Sequence, residues 1–276
     1  MQPWPIDYLE LQYWLHLTSG KRIREQYFLS RWTAWFKAVC LDSKHLWTSG
    51  KATKRLVLRF ILSKIRTPIR RKRAEKEINE FKLVSNSLDI TTDWFSHNIP
   101  KWKDAFRQAK ITEDQTFRIL EIGSWEGLSA HFLLRFFPLS TFTAVDTWEG
   151  GDEHDGLTTV SLAENRFEKN TSSFSDRVFK SKGTSADYFL RENGKNRYRI
   201  VYIDGSHRAE DVLNDASSGF ALLEVGGLMI LDDLLWKFYD DVTDNPAAGI
   251  NRFLISHAGR LRTIDVGHQL YLIKLN

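Results

Sequence analysis

Cysteine occurs once in the 276 residues, at Cys40. A lone thiol excludes an intrachain disulfide and a cysteine zinc cluster, and fits a reducing compartment. No apolar run approaches the length that a membrane span needs. The first ten residues, MQPWPIDYLE, lack the basic region and apolar run of a secretory signal, so the expected location is cytoplasmic. The G-x-G-x-x-G spacing of dinucleotide-binding turns is also missing, because Trp125 stands where its second glycine would be. Neither Tyr198 nor Tyr239 is followed by lysine four residues later. Both absences argue against a NAD-dependent epimerase or reductase.

Aromatic side chains are abundant, with 10 Trp and 18 Phe, and the length suffices for a full core. Charge is unevenly spread. Between Lys21 and Arg73 there are 16 Lys or Arg against two acids, Glu25 and Asp42, so the net +4 hides an acidic remainder. Aromatic and apolar residues fill positions 1–20 (Trp4, Tyr8, Trp14), and positions 21–80 read as two or three basic helices. Tyr27, Phe28, Trp32, Trp35 and Phe36 recur near helical spacing, as do Leu56, Phe60, Ile61 and Ile65. One reading is a helical extension, 1–85, with an apolar face on a following domain and a solvated basic face. A second is peripheral contact with an anionic membrane through residues 21–73, at the inner surface. Nucleic acid is disfavoured, since nothing beyond charge points to it. A homo-oligomer is left open.

The composition shifts over residues 80–93, and the domain boundary is expected at 85/86. Asp93 can cap a short helix, and a helix from Lys101 to Ala109 is predicted next. From Arg118 onward strands and helices alternate. Strands end near Ile122, Asp146, Gly183, Asp204 and Asp233, and two more are joined at Gly267 and His268. This predicts an α/β fold: a doubly wound, mainly parallel seven-stranded sheet with helices on both faces and a final antiparallel strand. Ligands of such sheets sit beyond the carboxyl ends of the strands. Four of the first five ends carry a carboxylate: Glu121, Asp146, Asp204, and the pair Asp232 and Asp233. Asp146 suits a ribose diol, in SAM or in NAD alike. Asp204, Asp232 and Asp233 make a hard oxygen site suited to Mg²⁺ or another divalent cation. His207 is placed to take a proton, and His154 is a weaker candidate for substrate contact.

The stretch R-I-L-E-I-G-S-W-E-G-L-S, residues 118–129, resembles motif I of the class I methyltransferases that use S-adenosylmethionine (SAM). Y-I-D-G-S-H and L-L-E-V-G-G-L-M-I-L-D-D are similar to segments of the macrocin and mycinamicin sugar O-methyltransferase family, which includes a cephamycin methoxylation protein. The run W-F-S-H-N-I-P-K-W, residues 94–102, also looks like that of bacterial members. The resemblance covers about residues 93–276. It implies a Rossmann-like methyltransferase domain, 86–276, with Asp204, Asp232 and Asp233 as metal ligands, and Asp204 and His207 as catalytic groups with His207 the base. Cofactor contacts then follow by position: Glu121, Gly123, Ser124, Gly127 and Ser129 from motif I, Asp146 and Trp148 after the second strand, and Gly183, Thr184 and Ser185 near the adenine. Thr184 or Ser185 can equally be a helix cap. The expected function is SAM-dependent, Mg²⁺-assisted O-methylation of a hydroxylated small molecule or glycan, a sugar favoured. The rival is a non-catalytic scaffold of the same fold, anchored through its basic helices.

Overall fold

The computed structural model describes residues 21–151, 160–192 and 194–276, with side chains from residue 33. The aromatic residues expected in 1–20, the side chains of Tyr27, Phe28 and Trp32, and His154 in the loop 149–156 lie outside the described residues. The chain divides into two compact units, Met1–Lys44 and His45–Asn276. The first contributes most of one helix, α1 (Lys21–Thr48), on which Phe36 and Leu41 are exposed.

The second unit opens with a short helix, Lys51–Lys54, followed by α2 (Val57–Arg73) and α3 (Glu75–Ser85). Asn251 Oδ1 accepts the backbone N–H of Ala52 at 2.8 Å, fixing the short helix to the later chain. On α2, Phe60, Ser63 and Arg70 are buried. The Arg70 guanidinium donates to Asp104 at 2.8 Å and to Asp265 at 2.6 Å, so its buried charge is matched on two sides. These inward contacts tie α2 to the later chain within the compact unit that begins at His45.

Asp93 caps as expected: Oδ1 accepts the N–H groups of Phe95 and Ser96 at the start of a single 3₁₀ turn, Ser96–Asn98. Helix α4 (Ile99–Gln108) follows directly with Pro100 in its first turn, where a missing N–H costs nothing. The alternating part comprises β1 (Arg118–Ile122), α5 (Leu128–Phe136), β2 (Thr141–Asp146), α6 (Ala163–Thr171), β3 (Val178–Lys182), α7 (Ser185–Glu192), β4 (Tyr198–Ile203), α8 (Ala209–Leu222), β5 (Leu223–Leu231), α9 (Pro246–Ser256), β6 (Leu261–Val266) and β7 (Leu270–Lys274).

The sheet order is β3-β2-β1-β4-β5-β7-β6. Every pairing is parallel except those of β7, which runs antiparallel to both β5 and β6. Central strands buried on both faces read as continuous apolar runs, as in Ile200–Ile203 and Leu228–Leu231. Strand β5 starts at Leu223, three residues before the expected start, and its pairing with β4 is irregular where Gly226 takes a left-handed φ of 79°. It closes at Leu231, leaving Asp232 and Asp233 just beyond the sheet. The order reverses between β1 and β4, and the crevice outside a reversal is where such folds bind ligands. Among the described residues no helix is long and apolar enough to cross a membrane.

Candidate active site

At the reversal the backbones of β1 and β4 nearly touch. Gly123 has φ 85°, and a Cβ there would lie 1.9 Å from the Asp204 carbonyl oxygen, so this turn admits only glycine. Gly127 has φ 81° and a methyl group there would press on Phe167 at 2.9 Å. Between them, Trp125 N–H donates to Asp146 Oδ2 at 2.7 Å, and Trp148 N–H donates to Asp146 Oδ1 at 2.7 Å. The carboxylate at the end of β2 is therefore held in place by backbone N–H groups of the motif I turn and of its own loop. Burial nonetheless raises the Asp146 pKa against the lowering effect of these backbone donors.

Trp148 faces the protein interior. It is buried, packs on Phe167 with ring centroids 5.2 Å apart, and donates Nε1–H to the Trp125 carbonyl at 2.8 Å. It ties the end of β2 to the turn after β1. Ser124 is buried in that turn. Ser129, at the start of α5, donates to Glu121 Oε1 at 2.5 Å. Glu121 is fully buried, and desolvation raises its pKa to about 7, partly offset by hydrogen bonds from Ser129 and Ser124.

A folded-state value of about 7 against an ordinary 4.5 means that the folded protein keeps the Glu121 proton where the unfolded chain has lost it. Stability should therefore fall as pH rises from about 4.5 to 7 and level off above, by up to about 3 kcal/mol at 1.36 kcal/mol per unit. Urea unfolding of Glu121→Gln, compared with wild type between pH 5 and pH 8, should show a steeper fall in the wild type, the variant keeping the slope of the other raised carboxyls, Asp146, Asp204, Asp215 and Asp232. Equal slopes would remove Glu121 as its source.

After β3, Gly183 has φ 133°. Thr184 Oγ1 accepts the Asp187 N–H at 3.1 Å and donates to its carboxylate at 2.8 Å, forming a cap on α7. Ser185 hydrogen-bonds Asp215 of α8. In this geometry both hydroxyls have structural partners.

Beyond β4 and β5 the structure brings Asp204, His207 and Asp233 together, with one potential ligand atom from each lying within 4.8 Å of the others. His207 Nε2 is 2.7 Å from Asp233 Oδ2, and its ring lies against Trp236 with centroids 4.9 Å apart. Asp233 reaches this position through a left-handed φ of 54°. Asp232 points differently: its Oδ1 accepts the Asp233 N–H at 2.8 Å and its Oδ2 accepts Gln269 Nε2–H at 2.6 Å. All four residues line one small cavity with Gly205, Ser206 and Pro246. Burial, then repulsion from Asp232 and Asp233, raises the Asp204 pKa well above the usual carboxylate range; Asp232 is raised for the same reasons. Carboxylates held this close in a half-buried site suit a divalent cation, which would supply the missing positive charge.

Sequence reading missed the residues that hold this cluster. The Tyr202 hydroxyl lies within hydrogen-bond distance of both Asp204 and Asp232. Its position two residues before Asp204, on the same face of β4, was a usable signal. Gln269 Oε1 accepts from Trp102 Nε1 at 2.7 Å and from the Tyr271 hydroxyl. The last Trp of W-F-S-H-N-I-P-K-W thus orients the amide that orients Asp232. Glu126, inside motif I, is nearly inaccessible and accepts from Thr91 N–H at 2.6 Å and Arg166 Nη1 at 2.8 Å, binding the segment before α4 to the turn. A larger cleft of about 550 Å³ is lined by Arg70, Lys103, Phe106 and Glu113 among others, and none of its lining comes from a carboxyl strand end.

Residues 120–234 match the sequence profile of a family described as a methyltransferase domain. Among solved structures, the MycE methyltransferase of the mycinamycin biosynthetic pathway, with Mg and S-adenosylhomocysteine (SAH), superposes at a TM-score of 0.50 and 18% identity. The match covers 72% of this chain and 53% of that one. The chain thus spans about half the length of that enzyme. A Staphylococcus aureus protein provisionally assigned as a caffeoyl-CoA O-methyltransferase gives 0.51 at 14% identity, covering 76% of this chain and 99% of its own. No curated protein matches the sequence.

Proposed function

We propose that this chain, which carries the class I SAM-dependent methyltransferase fold, is a SAM-dependent O-methyltransferase assisted by a divalent cation. Its acceptor is a hydroxylated small molecule or glycan, with a sugar bearing neighbouring hydroxyls favoured. The observation that carries this reading is the meeting of Asp204, Asp233 and His207 beside a glycine turn whose Trp125 amide holds Asp146.

SAM, when bound, supplies an electrophilic methyl group on a sulfonium, and a cation held there lowers the pKa of a coordinated hydroxyl. The chain's own residues do the rest. Gly123 and Gly127 let the backbone approach the methionine portion, Ser124 and Ser129 offer hydroxyls at the turn, and Asp146 accepts the ribose hydroxyls. Glu121, with burial raising its pKa to about 7, carries less negative charge beneath them than an ordinary carboxylate. Asp204 and Asp233 would hold the cation; Asp232, tied to Gln269, adds negative charge behind them and fixes the start of the loop. The His207 imidazole, oriented by Asp233 Oδ2 at 2.7 Å from its Nε2, would take the proton of the attacking hydroxyl. Gly183, Thr184 and Ser185 shape the β3 end where the adenine would lie.

Calorimetric titration tests this directly. SAH should bind and NAD should not, and Mg²⁺ should release a separate heat that Asp204→Ala loses. If neither nucleotide bound, the enzyme reading would give way to a scaffold of the same fold.

A further inference from the structure

Helix α2 has two faces of opposite use. Inward, Phe60, Ser63 and Arg70 are buried. Outward, Leu58, Leu62, Ile65 and Ile69 are 68%, 42%, 59% and 58% exposed. Their spacing of i, i+4, i+7 and i+11 places them within an arc of about 60° at 100° per residue. Arg66 and Arg73, seven residues apart and both exposed, run along one flank of that arc, and exposed Lys72 lies on the other. No acidic residue occurs between Asp42 and Glu75. Just upstream Trp47 is 56% exposed, with the Lys54 ammonium 3.5 Å above its ring.

We infer that the outward face of α2 docks on an anionic lipid bilayer, lying in the plane of the interface. The helix is anchored from behind by Arg70 to Asp104 and Asp265, and by Arg59 Nη1 to the Thr263 carbonyl. The aliphatic stripe therefore points away from the core by construction. Nucleic acid would pair with the arginines and leave four aliphatic side chains in water. A bilayer with acidic headgroups satisfies both: the side chains enter the acyl boundary, and the flanking guanidinium groups meet lipid phosphates. A headgroup layer also suits the absence of any acid on this stretch. The inference is independent of the methyl-transfer reading.

The test is flotation of the full-length protein with two vesicle populations, phosphatidylcholine alone and phosphatidylcholine with phosphatidylglycerol. Wild type should float only with the anionic vesicles, less so in high salt. Arg66→Gln with Arg73→Gln should weaken partition about twenty-five-fold, at about five-fold per charge. Leu62→Gln with Ile65→Gln should weaken it by at least about ten-fold. Thermal midpoints should stay unchanged, since all four side chains are exposed. No flotation, or equal flotation of the variants, overturns the inference, the latter moving any lipid contact elsewhere in the chain. Binding to heparin or RNA without vesicle binding also overturns it, in favour of a soluble polyanion.

Discussion

Asp204→Asn should slow methyl transfer about a thousandfold or more while making the folded protein harder to unfold. The two effects have one origin. Asp204 shares a small, half-buried cavity with Asp232 and Asp233, and burial with mutual repulsion raises its pKa well above the ordinary range. Asparagine has nearly the same shape, and its carbonyl oxygen can still accept from the Tyr202 hydroxyl, which now reaches Asp204 Oδ2 at 2.6 Å. What it removes is a charge. Without that charge a hard cation loses a principal ligand, and the several kcal/mol of electrostatic assistance it supplies correspond to about three or more powers of ten in rate. The same removal relieves repulsion among buried acids, a gain on the order of 1–2 kcal/mol of the kind seen when a functional site is neutralised. Single-turnover transfer with saturating SAM measures the first effect; the thermal midpoint in EDTA measures the second. An unchanged rate would eliminate the cation from the mechanism. A lowered midpoint would show that Asp204 is held by favourable contacts rather than against repulsion.

The sheet was legible because its signals are local. Apolar runs such as Ile200–Ile203, ended by Asp204 and Gly205, announce a buried strand and its turn without help from distant residues. The carboxyl-end rule then places every acid that closes a strand in one crevice, and Asp204 and Asp233 do meet there. Residues whose partners come from far along the chain escaped. Gln269 is a plain amide beside the final hairpin, yet it joins Trp102 to Asp232 across intervals of 167 and 37 residues. Arg70 reads as one charge in a basic run, and only the fold supplies Asp265, 195 residues away. Trp148 was read by its position beside Asp146; the direction of its side chain depends on Phe167 and on the Trp125 carbonyl, which no spacing rule reports.

His207→Gln should lower kcat by about two to four powers of ten while leaving the affinities for SAH and Mg²⁺ within about two-fold. The imidazole lies where two roles are geometrically open. Its Nε2 is 2.7 Å from Asp233 Oδ2, and the trio of Asp204, His207 and Asp233 is compact enough to share one ion. The donor chemistry separates the roles. A hard cation of the Mg²⁺ type prefers oxygen and keeps its own water, so a nitrogen beside two carboxylates is a poor third ligand and a good proton acceptor. The ring is also held for that task, lying against Trp236 at an interplanar angle of 37°. As the base, His207 must be neutral to act, so wild-type activity should fall on acidification and the glutamine variant should lack that limb. Glutamine is close in size but lacks the imidazole nitrogen, so a ligand role would show as weakened Mg²⁺ binding in the variant. Loss of rate together with the limb, at constant metal affinity, identifies His207 as the base; loss of Mg²⁺ affinity would make it a ligand and leave the proton to another acceptor.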